Sequence, residues 1–306
     1  MKADRRFLRQ PRPFWANVRT ISQEIGYTVR GAGIIRVPTL HEIAKAYERL
    51  GLSIQHIQSA DGAQQRLGKL LLDYFAYRAN ILNTYVEPRL MDADQAREVF
   101  HDFRARLNPD CPLPINKQKG AKKAPAYLTG LINMLIQAHS RLYPCDFNPR
   151  QLTTVTRDGL PLRTLSRRID GAFPSTVNPV AVWEVKEYYY TTTFGSRVAD
   201  GIYETLLDGM ELAELKEHEG IDVKNYLMVD SHYTWWKCGR SYLCRIIDML
   251  HMGYMNEALF GYEVVERLPE IVESWTKTLR SRQRQRGQPV RIACCRFRES
   301  DPSGKS

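Results

Sequence analysis

Val180-Ala-Val-Trp-Glu-Val-Lys186 is the stretch on which the reading of this chain turns. It is apolar without a break up to Trp183, as a strand inside a sheet is, and Asn178-Pro179 supplies a turn ahead of it. Side chains alternate along a strand, so Glu184 and Lys186 share one face with Val180 and Val182, and Ala181, Trp183 and Val185 take the other. Charged groups at the end of such a strand are costly unless paired, solvated or bound to a metal ion.

Working outward, residues 151–157 and 161–170 read as strands joined by Asp158-Gly159, a good hairpin turn, and the second ends in Arg167-Arg168-Ile169-Asp170-Gly171. Residues 125–139 read as a buried helix with Leu128, Leu131, Ile132, Leu135 and Ile136 as its apolar stripe. Beyond the central strand come a helix over 196–217, a strand over 225–230 and a helix over 241–258. The order α-β-β-β-α-β-α predicts an α/β (α+β) fold with a mixed central sheet flanked by helices.

If the strands ending at Asp170 and Lys186 are neighbours, Asp170 lies beside Glu184. Two carboxylates brought together repel unless a cation or a proton intervenes. Hard oxygen ligands favour Mg2+, with Mn2+ as a substitute, over zinc. Such an ion binds a phosphate oxygen and lowers the pKa of its water, and Lys186 can orient that water or neutralise charge on the phosphate. The plainer alternative is an ordinary strand-end ion pair between Glu184 and Lys186. Two other acid-x-Lys triplets, Glu214-Leu-Lys216 and Asp222-Val-Lys224, lack this context: the first falls in a helical stretch, the second has no acidic strand end at hairpin distance before it.

Asp170, a spacer over 171–183, and Glu184-Val-Lys186 resemble the PD-(D/E)xK nuclease motif, and the order αβββαβ is similar to that superfamily's core. The likeness covers roughly residues 120–260, and the chain's size and added helical region resemble type II restriction endonucleases. The resemblance implies metal binding by Asp170, Glu184 and the Val185 carbonyl, with Lys186 as the catalytic amine. Ile169 stands where the superfamily loosely keeps a proline. It further implies a restriction-type enzyme of a phage-defence system, cutting double-stranded DNA as a homodimer. A less specific defence or repair nuclease and a catalytically silent DNA-binding protein are the alternatives.

The charge balance agrees with a polyanionic partner: Lys plus Arg number 44 against 34 Asp plus Glu in 306 residues. No run of about 18 apolar residues occurs, so no membrane span is expected. The six cysteines form no C-x-x-C pair, which argues against structural zinc and for free thiols in the cytoplasm. Residues 1–115 read as a helical region that recognises or clamps DNA, 116–275 as the nuclease core and 276–306 as a basic tail. Thr39-Leu-His-Glu42 is a capping box opening a helix to about Leu50. The glycine-bearing turn before it carries Arg30 and Arg36, and helix–basic turn–helix fits either a DNA-reading module or a plain helical hairpin. Lys122, Lys123 and Arg197 are further candidate phosphate contacts. Tyr188 to Tyr190 could pack on sugars or bases or be strand residues, and Trp235-Trp236 is expected in the core.

Overall fold

Residues 181–187 form a strand inside a four-stranded sheet in the computed structural model, which describes residues 1–29, 31–116, 123–140, 143–190 and 195–285, with only the backbone of 196, 197 and 285. In chain order the helices are α1 (Arg12–Ile25), α2 (Leu40–Arg49), α3 (Arg66–Ile81), α4 (Ala93–Leu107), α5 (Tyr127–Ser140), α6 (Ser196–Glu219), α7 (Arg240–Met252) and α8 (Glu263–Gln285). The strands are β1 (Thr154–Arg157), β2 (Leu160–Thr164), β3 (Gly171–Phe173), β4 (Ala181–Glu187), β5 (Lys224–Asp230) and β6 (Glu257–Phe260).

The sheet runs β3-β4-β5-β6, with β3 antiparallel to β4 and the other pairs parallel. Alternation along the strands sends Ala181, Trp183, Tyr226, Met228 and Leu259 into a core shared with α4, α5 and α8. The opposite face carries Leu227, Val229, Ala258 and Phe260 toward α7, and Val182 toward Leu212 and Leu215 of α6. Helices thus cover both faces, as parallel strands require. Trp183 stacks on Trp275 of α8 with ring centroids 5.6 Å apart. The same ring fills the space beside Gly171, where an added Cβ would lie 2.0 Å from Trp183 Cζ2.

The mixed α/β class follows the sequence, with three differences in detail. Residues 161–170 are not one strand. β2 stops at Thr164, and β1 and β2 make a sheet of their own around the expected turn, with Asp158 and Gly159 both at positive φ. The polar run that follows is drawn off the sheet by α6: Ser166 bonds to Glu211 and Arg167 to Asp208. Asp170 therefore sits in the bend that enters β3, not at the end of a long hairpin strand. Second, the expected helix over 241–258 stops at Met252, because Gly253 turns left-handed with φ 86°, and residues 257–260 add β6 to the sheet. Third, residues 276–285 continue α8, where Arg280 bonds to the Tyr143 hydroxyl and Arg282 to the carbonyls of Pro179 and Asp222. The rest of that basic segment, 286–306, lies outside the described residues.

Near the N-terminus, α1, α2 and α3 pack around Phe14, Trp15, Tyr47 and Tyr74. The Thr39/Glu42 capping box is formed as expected, Thr39 Oγ1 accepting from Glu42 N and Glu42 from Thr39 N. Between α1 and α2 the chain makes a small antiparallel bridge, Thr28 to Ile35, in place of a tight turn between helices. Arg78 of α3 is fully enclosed and donates to both oxygens of Asp248 of α7 at 3.0 Å, while Tyr74 donates to the same carboxylate at 2.6 Å. No described helix is long and apolar enough to cross a membrane.

Asp248→Ala strands the Arg78 charge in the interior and should cost about 3–5 kcal/mol, read as a lower denaturation midpoint. Gly171→Ala, overpacking against Trp183, should cost about 1–3 kcal/mol by the same measurement.

Candidate active site

The register of β3 on β4 sets Gly171 opposite Trp183, so Asp170 comes level with Glu184. β3 reaches no further along β4, and the exposed backbone N–H of Val185 is taken up by Asp170 Oδ2 at 2.8 Å. An extended residue turns its N–H and C=O to the same side, so the Val185 carbonyl faces this uncovered edge as well. The sequence expectation that Asp170 and Glu184 adjoin is what the structure places there.

Over the face that bears Glu184 and Lys186 lies α6. It approaches closely because residue 201 is glycine: a Cβ there would stand 3.0 Å from Lys186 Cε. Glu204 and Asp208 follow on α6, four residues apart and hence on one side of the helix. Arg167, from the bend before β3, completes the group. Its Nη1 donates to Asp208 Oδ2 at 2.7 Å, and its Nη2 to Glu184 Oε1 at 2.8 Å and to Glu204 Oε2 at 3.4 Å. Lys186 Nζ donates to Glu184 Oε1 at 2.7 Å and Glu204 Oε2 at 2.8 Å.

Four carboxylates thus meet two cations, leaving a formal excess of two negative charges. Glu184 is 3% exposed and Asp208 2%, yet Glu184 Oε2 and Asp208 Oδ1 are buried without a hydrogen-bond partner among the described residues. Asp170 is exposed as a residue, but the protein packed around its carboxyl desolvates it and, with the Glu184 charge, pushes it up to about 6. Asp208 is pushed up to about 7 by desolvation, which the Arg167 charge opposes and the Glu184 charge assists. At Glu204 burial acts upward, but the Lys186 bond and the charges of Lys186 and Arg167 outweigh it and hold the group below its ordinary value. Burial disfavours the charged form of Lys186, yet Glu184 and Glu204 keep it protonated well above the ordinary lysine range.

Among the described residues no three His, Cys, Asp or Glu side chains already converge as a metal-ligand group. The cationic heads of Arg167 and Lys186 sit among the carboxylates instead. The donor set nevertheless fits a hard dication: all its ligands are oxygens, two are buried and unbonded, and the missing charge is two.

Arg167, Glu204 and Asp208 were not among the residues singled out from sequence. The available signal was on α6, where Val198, Ile202, Thr205, Leu212 and Leu215 are buried at helical spacing and Asp208 falls within that buried stripe. The other two triplets are structural: Glu214 pairs with Arg163, and Asp222 pairs with both Lys216 and Lys224.

Of the proposed phosphate contacts, Arg36 is half-buried and paired with Glu42. Lys123 is exposed ahead of α5, whose N-terminus is capped by Glu187, the residue after Lys186. Arg30 and Lys122 lie outside the described residues, and Arg197 falls in the first turn of α6, its side chain likewise outside them. Tyr189 donates to the buried Asp230, and Trp235 and Trp236 are in the core as expected. Grooves of about 380–480 Å³ lie elsewhere, such as the one between Lys216, Asp222 and Tyr254.

Residues 91–275 match the family model described as "Domain of unknown function (DUF7687)", and residues 1–85 match "Domain of unknown function (DUF7690)". The first spans more than half of the chain, which therefore belongs to the DUF7687 family. The two matches meet between residues 85 and 91, ahead of α4, whereas the sequence reading set its boundary at 115. No curated protein and no solved structure matches the chain.

Because Asp170 and Asp208 titrate above the ordinary 3.8, the folded protein holds protons that the unfolded chain has released. Their contribution is fully present below that value and is lost as pH rises through about 6 to 7. The unfolding free energy in EDTA should therefore fall between pH 5 and pH 8, and Asp208→Asn should reduce that fall by on the order of a few kcal/mol, read from denaturant titrations at the two pH values.

Proposed function

We propose that the chain is a divalent-cation-dependent endonuclease of PD-(D/E)xK type, with a restriction-endonuclease-like core, that hydrolyses phosphodiester bonds in double-stranded DNA. The observation that carries this reading is Asp170 level with Glu184 on adjacent strands, with Lys186 one pleat further along the same face. The order α5-β1-β2-β3-β4-α6-β5 around that pair, with β1 and β2 in a sheet of their own, supports it.

On this reading Asp170, Glu184 and the Val185 carbonyl hold Mg2+, or Mn2+ in its place. The bound ion supplies Lewis acidity at a phosphate oxygen and a water of lowered pKa. Lys186, kept protonated by Glu184 and Glu204, presents its ammonium where negative charge develops on the phosphate. Asp170, in the bend and exposed, marks the side from which the backbone of a duplex can reach the cluster. The excess of ten positive charges over the chain favours such a partner and speeds its approach. The 31–36 turn, held by Arg240 on the Gly33 carbonyl, would on this reading contribute further contacts to DNA. A homodimer serving restriction and phage defence belongs to the same reading, since a two-fold protein mirrors a palindromic site. A DNA-binding protein of this fold that does not cut is the second reading, and the Arg167 guanidinium seated between Glu184 and Asp208 is the observation that favours it.

Plasmid and phage DNA incubated with Mg2+ or Mn2+ should be cut by the wild type and lose at least about 10²-fold in rate with Lys186→Ala or Asp170→Ala. Discrete fragments support the restriction role, and a smear points to a less specific nuclease. Tight binding without cutting under either ion leaves the DNA-binding protein.

A further inference from the structure

Asp208 is the most deeply buried carboxylate of the cluster, at 2% exposure, and its Oδ1 has no hydrogen-bond partner among the described residues. An unpaired buried oxygen on a carboxylate costs more than 1–3 kcal/mol as an order of magnitude, so stability alone would favour an apolar side chain at this point of α6. Glu184 Oε2 presents the same problem on the facing strand. Both carboxylates are gripped by one guanidinium, Nη1 on Asp208 and Nη2 on Glu184, so they stand one guanidinium apart. That fork satisfies one oxygen of each and supplies a single charge. A small dication takes oxygens from several carboxylates at once and supplies two. Arg167 also has a way out, with its side chain 22% exposed at the rim of the cluster.

We propose that Asp208 joins Glu184 in the ligand set of the divalent cation, and that Arg167 is the counter-charge the entering ion displaces. This rests on the nuclease reading in taking the cation to the Asp170–Glu184 cluster, and it adds a helix-borne ligand that the Asp170/Glu184-Val-Lys186 pattern does not contain. The apparent conflict between an acidic cluster suited to a metal and an arginine lodged within it is resolved as competition: guanidinium and dication seek the same oxygens.

The test is Mn2+ binding by the full chain at pH 8, read from the electron paramagnetic resonance signal of free Mn2+, without DNA. Asp208→Asn should weaken binding at least about tenfold. Arg167→Met should strengthen it several-fold, since no internal cation then competes. Glu211→Gln, one turn along α6 and bonded to Ser166, should bind as the wild type does. If Asp208→Asn does not fold with Arg167 left unpaired, the double variant Arg167→Met/Asp208→Asn removes both partners and must bind at least about tenfold more weakly than Arg167→Met. Unchanged affinity on loss of Asp208, in the single or the double variant, overturns the proposal, as does weaker binding by Arg167→Met. Those outcomes leave the nuclease reading standing. A wild type that binds no Mn2+ overturns both.

Discussion

Glu184 places a carboxyl group inside a sheet, and the arrangement around it answers that placement. Its carboxylate lies among apolar strand residues where an isolated charge would not survive, and two cations converge on a single oxygen, Arg167 at 2.8 Å and Lys186 at 2.7 Å. Lys186 is two residues along the same strand, and Arg167 is fixed by Asp208 on the helix above. The helix in turn needs Gly201 to come near enough. Buried ion pairs of this kind seldom add net stability, because desolvation consumes most of the Coulombic gain. A cluster with four carboxylates and two cations is worse placed still, and the raised Asp170 and Asp208 carboxyls are the visible sign of that strain in charge. Such an arrangement is intelligible as a site for something positive.

The surrounding structure holds that end of the sheet still. Glu187, next in β4, accepts from the backbone N–H and hydroxyl of Thr129 and so ties the strand to the start of α5. Trp235 donates to the Lys186 carbonyl at 3.4 Å, and its neighbour Trp236 lies under the Arg240 guanidinium. Arg240 reaches the Gly33 carbonyl in the turn between α1 and α2. A continuous set of contacts therefore runs from the N-terminal helices to the lysine at the centre of the cluster. The second tie, Arg78 with Asp248, anchors α3 to α7 some distance away. Further contacts, Arg19 on the Met252 sulfur and Arg245 over the Tyr27 ring, tie the N-terminal helices and the turn between them to α7 as well.

What the sequence disclosed follows the range over which each signal acts. The apolar run of β4, the capping box of α2, the Asp158-Gly159 turn and the buried tryptophans are decided by near neighbours, and all are found in place. The pairing of Asp170 with Glu184 was legible because one short connection joins two adjacent strands. Its exact setting was not, since the break of 161–170 at Thr164 depends on Glu211 and Asp208 far along the chain. β6 was hidden because four residues are too few for a period to show, and methionines at helical spacing ran past the Gly253 stop. Glu204 and Asp208 looked like ordinary helix charges until packing turned them onto β4. An acidic residue within the buried stripe of a helix is the pattern that sequence reading could have weighed and did not.

On the nuclease reading, the filled interior of the cluster bears on the kind of ligand it would take. Its interior is filled by Arg167 and Lys186, and the grooves of a few hundred Å³ lie elsewhere on the surface. A small molecule needs concavity on several sides to gain enough contact for specific binding. A polymer does not, because its affinity comes from many phosphate contacts spread along a basic surface, and only one linkage has to reach the reacting groups. A cluster open on the side of Asp170 and closed behind by α6, on a chain with ten surplus positive charges, suits the second kind of ligand. On the nuclease reading, a duplex would cover Asp170 as it binds and so strengthen the attraction of the cluster for a cation as the phosphate arrives.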